Sequence, residues 1–255
     1  MAADIAPDLL AKIRRLYKDG TGLHPLLREL RQANVLSYAQ AQKYAELTGE
    51  EASKALTSIL TEDALPDGRL YYNIAERTVR PVLETVQSDV ADIAVKAQAG
   101  VNAQIGIGLK AVRPELNDDR IVGLIDRLTG AEQISDVQWL LKAPVVNFAQ
   151  SVVDDSVRVN ADFHASVGLH PKLKRYPVAG CCEWCENLTG VYDYYSAPAD
   201  IYRRHDNCDC VIEYDPGSGK SKNVWGSQVG QLTRKTQKRL ERQKREEMLK
   251  AAAGR

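Results

Sequence analysis

Phenylalanine is nearly missing. The 255 residues hold two Phe and three Trp, and aromatics make up only 6% of the chain. A core must therefore be built from aliphatic side chains, which the 44% hydrophobic content supplies in ordinary globular amount. Long apolar runs are missing too. None approaches the roughly 20 residues needed to span a bilayer, so no membrane partner is expected. Net charge is absent, with 34 basic residues against 34 acidic ones. That balance argues against a general nucleic-acid binder, although a neutral total can conceal local asymmetry. The opening stretch MAADIAPDLLAKIRRLYKDG lacks the basic-then-apolar order of a secretory leader and has the pattern of an amphipathic helix. These absences point to a soluble chain made in a reducing cytosol, where structural disulfides are rare.

Cysteine is scarce and unevenly placed. All five, Cys181, Cys182, Cys185, Cys208 and Cys210, lie within the thirty positions from 181 to 210, and His205, one of four histidines, lies among them. Cys182 and Cys185 form C-x-x-C, while His205, Cys208 and Cys210 form H-x-x-C-x-C. A two-residue gap lets a tight turn aim two thiolates at one point. A second group about twenty residues on completes the four-ligand sphere that zinc prefers. Six candidates compete for four places, and Cys181 is the least favoured. Cys182, Cys185 and Cys208 are expected ligands, with either Cys210 or His205 as the fourth. Buried structural cysteines, disulfides, and a reactive thiol with His205 as base are the alternatives. Tight clustering and the expected compartment favour the metal.

Periodicity divides the chain. Apolar residues at three- and four-residue steps predict helices over 7–17, stopped by KDGTG, then over 25–32, 36–49 with Gly49 as a C-terminal cap, and 50–60. A longer helix is predicted through Val79, Val82, Val86, Val90, Ile93, Ala97 and Val101, with Pro81 at a first turn or a kink. Further helices follow over 118–130 and, after Pro144, through Val145, Phe148, Val152, Ser156, Val159 and Phe163 to about Gly168. The period then changes to that of strands at KLKRYPV (172–178), GVYDYY (190–195) and CVIEYDP (210–216). Residues 228–253 return to helical spacing, and the stretch 231–255 carries nine Lys or Arg against three Glu. The expected fold is mainly α with a small α+β zinc-binding module near the C-terminus. Its parts are a helical region 1–168, a Cys-rich module 169–226 and a basic C-terminal helix 227–255.

The cysteine cluster also carries a family resemblance. Cys182, Cys185, Leu188, Gly190, Tyr192, Pro198, His205, Cys208 and Cys210, with the downstream YDPGSGKSKNVW, resemble the C-terminal module of the phage Mu F-like minor head proteins, also called phage head morphogenesis proteins. The likeness covers residues 170–226. Asp206 and Asp209 stand where that family often has Pro and Arg. The resemblance implies a structural virion protein, made in the host cytoplasm, that works with portal and capsid or scaffolding proteins in head assembly or DNA delivery. Zn2+ would be a structural staple. The resemblance does not itself imply catalysis.

Other signals are weaker. GSGKS at 217–221 is no phosphate loop, because Tyr214 occupies the place of the first Gly and no helix pattern follows. GIGLK at 106–110 lacks the third Gly of a dinucleotide fingerprint. Asp154 and Asp155 diverge by about 100° on a helix and cannot act as a carboxylate pair. His24 and His170 precede prolines in turns, and His164 is expected to face solvent. The serious rival is a nuclease or toxin-like enzyme using His205 with Arg203, Arg204 and Tyr202, and a zinc-based nucleic-acid-binding adaptor is the third reading. In the basic segment, Arg234, Lys235, Lys238, Arg239, Arg242, Lys244 and Arg245 are candidate contacts to packaged DNA, against the plainer reading of a solvated helix.

Overall fold

The computed structural model describes residues 4–177 and 182–216. Cys181 and the whole basic segment with its candidate DNA contacts lie outside the described residues. Within them the chain is mainly helical, with a small three-stranded antiparallel sheet near its C-terminal end. The helices are α1 (Ala6–Leu23), α2 (Pro25–Gln32), α3 (Tyr38–Ile59), α4 (Tyr72–Ile105), α5 (Asp118–Thr129), α6 (Ile134–Val137), α7 (Ala143–Ser166) and α8 (Glu183–Glu186). The strands are β1 (Lys172–Tyr176), β2 (Gly190–Asp193) and β3 (Val211–Asp215), in spatial order β2-β1-β3.

Two expected helix ends are absent for tertiary reasons. KDGTG does not stop α1, which runs on until Pro25 forces His24 into an extended conformation. The freed His24 ring then accepts from the Leu27 N–H and starts α2. Gly49 is not a cap either. α3 begins at a capping box made by Ser37 and Gln40 and passes straight through Gly49. That glycine marks a close crossing with α7: a Cβ there would stand 2.8 Å from the Val146 Cα and 3.0 Å from the Ala149 Cβ. Pro81 lies inside α4 rather than at its start, and the helix continues to a left-handed cap at Gly106.

α3, α4 and α7 pack on one another, with α1 against α3 and α4, and α5 against α4. Val79, Val82, Val86, Val90, Ile93 and Ala97 of α4 are buried, as their spacing predicts, and so are Val145, Phe148, Ala149 and Val152 of α7. His164 is a correction. It is buried beneath the sheet, where its Nδ1 meets the Tyr214 hydroxyl of β3. β3 lies on α3 and α7, so the sheet is seated on the helical body. No described helix is long and apolar enough to cross a membrane.

Candidate metal centre

β1 is the central strand, and its register pairs Leu173 with Tyr192 on β2 and Tyr214 on β3. The cysteine motifs sit on the links at the far end of this sheet. Cys182 is the N-cap of α8 and Cys185 its third residue, so the C-x-x-C gap is one turn at a helix start. His205, Cys208 and Cys210 lie on the link that returns from β2 to β3. Their side chains converge. Cys182, Cys185 and His205 form one group whose donor atoms lie within 4.8 Å of one another, and Cys185, Cys208 and Cys210 form a second. Cys185 belongs to both. Cys182 is exposed, whereas Cys185, Cys208 and Cys210 are buried.

The distances suit a shared cation. Cys185 Sγ and Cys208 Sγ are 3.7 Å apart. That is close to the edge of about 3.8 Å that two sulfurs span on a tetrahedral ion at a bond length of about 2.3 Å. His205 Nε2 lies 3.2 Å from Cys182 Sγ and 3.0 Å from Cys185 Sγ. Its Nδ1 is 2.7 Å from the Asp206 carbonyl oxygen. With Nδ1–H donating there, the Nε2 lone pair faces the sulfurs, as a ligating imidazole requires. A hydrogen bond from Cys210 draws the Cys208 thiol down to about 4, and the same bond pushes Cys210 up. These residues could therefore hold a metal ion. Both candidates for the fourth ligand are at the centre, Cys210 in its buried half and His205 in its more open half.

Sequence reasoning missed three supports. Arg175 on β1 is buried behind the cluster, with Nη2 3.7 Å from Cys185 Sγ and 3.8 Å from Cys208 Sγ. The signal was present: in KLKRY the alternation puts Arg175 on the inward face with Leu173. Trp184, inside the C-x-x-C, meets the Arg175 guanidinium over its ring and packs against His205 in a T-shaped contact. The third support joins the ligand link to the helices. Arg204 makes a two-pronged ion pair with Asp154 of α7, and its Nη1 donates to the Cys208 carbonyl at 3.2 Å. Gln42 of α3, with its amide oxygen turned to Arg204, accepts from Nη2 at 2.7 Å. Gln150 of α7 donates to the same Cys208 carbonyl at 3.2 Å.

The residues of the nuclease alternative are engaged apart from one another. Arg204 is committed to Asp154, and Arg203 pairs with Asp200 at 3.1 Å on the surface. Tyr202 lines a cavity of about 300 Å³ with Arg158, Asp162 and Tyr194. Asp154 and Asp155 do diverge, Asp155 turning out to Arg158 at 2.9 Å.

The fold and site together define a mainly helical protein whose sheet carries a Cys/His centre able to hold a metal ion. Set against known proteins, the chain matches no family model, no curated protein and no solved structure.

Proposed function

We propose that the protein is a minor capsid, or head morphogenesis, protein of a tailed phage, with a structural role beside the portal and procapsid. The observation that carries this reading is the convergence of C-x-x-C and H-x-x-C-x-C on two donor groups that share Cys185, in the motif order of the phage minor head module. Zinc is the metal that suits the donors. Thiolates with or without one imidazole, three of the sulfurs buried, favour a redox-inert tetrahedral ion over the hard cations that take oxygen ligands. Three short strands and their links bury little surface of their own. A structural zinc is worth about 10–16 kcal/mol in small metal-folded domains, enough to hold the links in place. The basic segment 231–255 would reach packaged DNA or an acidic portal surface through Arg234, Lys235, Lys238, Arg239, Arg242, Lys244 and Arg245.

The test is co-expression with the cognate portal, scaffolding and major capsid proteins, followed by sedimentation. The chain should travel with procapsids, and Cys185→Ser should reduce its incorporation. Procapsids free of the chain, together with DNA cleavage by the wild type that is lost in His205→Ala, would replace this reading with the nuclease.

A further inference from the structure

We propose that Arg175 is the charge-balancing and positioning residue of the metal centre: a guanidinium built into β1 to face the sulfur atoms of Cys185 and Cys208. The proposal rests on the metal-centre reading above and extends it to a residue outside either cysteine motif.

Arg175 occupies a position that a sheet ordinarily fills with an apolar side chain. It shares the inward face of β1 with Leu173, and it is 1% exposed. A buried cation is among the most costly groups a fold can hold, unless charge and hydrogen bonds compensate it. Among the described residues no carboxylate forms an ion pair with it. Its Nη1 donates to the carbonyls of Ile201 at 2.6 Å and Arg203 at 2.8 Å. Its guanidinium carbon lies 5.4 Å from the Trp184 ring centroid. These partners are dipoles and a quadrupole. The buried Asp154 carboxylate acts on it through space without forming an ion pair, and the two sulfurs within reach of Nη2 are the groups in direct contact that supply full negative charge, because cysteine binds a metal as thiolate.

The charge count agrees. Three thiolates and an imidazole leave a divalent ion with one negative charge in excess, and four thiolates leave two. A guanidinium alongside brings either set nearer to neutrality. The same side chain also spans the two halves of the site. It touches Cys185 from α8, Cys208 from the β2–β3 link, and the backbone of that link just before His205. A lysine could supply the charge but not the planar fork that reaches all four partners.

The experiment compares the full chain with Arg175→Gln and Arg175→Lys. Zinc affinity is measured by competition with a chromophoric chelator, and the sulfur-to-metal charge-transfer band is recorded with Co2+. Arg175→Gln should weaken zinc binding about 10–100-fold, the usual effect of removing a partner of a ligand. It should also move the cobalt band to lower energy, because a sulfur that loses an N–H donor gives up its electron more easily. Arg175→Lys should recover part of both. A purely structural arginine would lower the melting temperature of the metal-free protein and leave the band energy unchanged. If Arg175→Gln does not fold, Arg175→Lys carries the same readouts with smaller shifts. Affinity and band unchanged in the folded variants would overturn the proposal. A wild-type chain that takes up neither zinc nor cobalt would instead overturn the metal reading on which it rests, a separable result.

Discussion

Arg204 and Asp154 form an ion pair almost without solvent, their side chains 3% and 2% exposed. One partner stands next to His205 on the ligand link, the other in the middle of α7. The pair is therefore the joint between the cysteine-bearing sheet and the helical body. Gln42 and the Cys208 carbonyl complete its hydrogen bonding, so the guanidinium is held on three sides.

Breaking one side of this joint should be far worse than removing both. Arg204→Ala leaves a buried carboxylate, and Asp154→Asn leaves a buried guanidinium with half a partner. Each should cost about 3–5 kcal/mol in urea unfolding. The double replacement Arg204→Met with Asp154→Leu should recover most of that loss, since well-packed apolar pairs often match buried ion pairs. Additive losses in the double variant would show that the two residues act independently.

Metal loading should follow the overlap of the two donor groups. Cys185 belongs to both, so Cys185→Ser should abolish zinc uptake, measured as metal per chain by atomic emission. Cys182→Ser and Cys208→Ser should each lose it as well. His205→Ala and Cys210→Ser decide the fourth ligand, and one of the two should keep about one zinc per chain, the complement of a single four-ligand site. Chelation should lower the melting temperature while leaving most of the far-ultraviolet helical signal. The helices that dominate that signal, α1 to α7, carry none of the donors.

Most of the helical architecture was legible because buried faces repeat at helical spacing, as in Val79 to Ala97 of α4. The donors were legible because sulfur was confined to one stretch. What the sequence hid were choices made by tertiary contact. A glycine at position 49 looks like a helix end until α7 is seen to press against it. The alternation in KLKRY turns Arg175 inward, but it does not tell what the side chain faces there, sulfurs brought from two later links. Arg204 beside His205 suggested phosphate chemistry, whereas its partner is an aspartate fifty residues away.

The Gly49 crossing should tolerate no side chain. Gly49→Ala places a methyl 2.8 Å from the Val146 backbone, an atom that cannot rotate away. α3 and α7 must then separate. The expected loss is about 1–3 kcal/mol, the usual cost of overpacking, although alanine is the better helix former. Gly22→Ala on α1, where nothing lies within 4 Å, is the control. It should be neutral or slightly stabilising, by up to about 1 kcal/mol. Equal melting temperatures for Gly49→Ala and the wild type would mean that the crossing yields more easily than its geometry indicates.

His164 gives the helix–sheet joint a dependence on pH. Burial holds its imidazole below the ordinary histidine value, so the native form is neutral. Its Nδ1 is engaged with the Tyr214 hydroxyl, and Nε2 has no partner, so a second proton would sit buried without an acceptor. The unfolded chain, with an ordinary imidazole, binds that proton first. Stability from this group is therefore complete above about pH 6.5, the unfolded value. It falls as pH drops from there through the lower folded value. His164→Asn keeps a polar atom near the Nδ1 position and removes the titration. The melting temperature of the wild type should fall more steeply than that of His164→Asn between about pH 6.5 and 5, the window that opens below the unfolded imidazole. The two curves should run parallel above it. Measuring the difference between them cancels acid-driven loss of metal, which both proteins share. Parallel curves throughout would place the imidazole in contact with water and remove His164 from the joint.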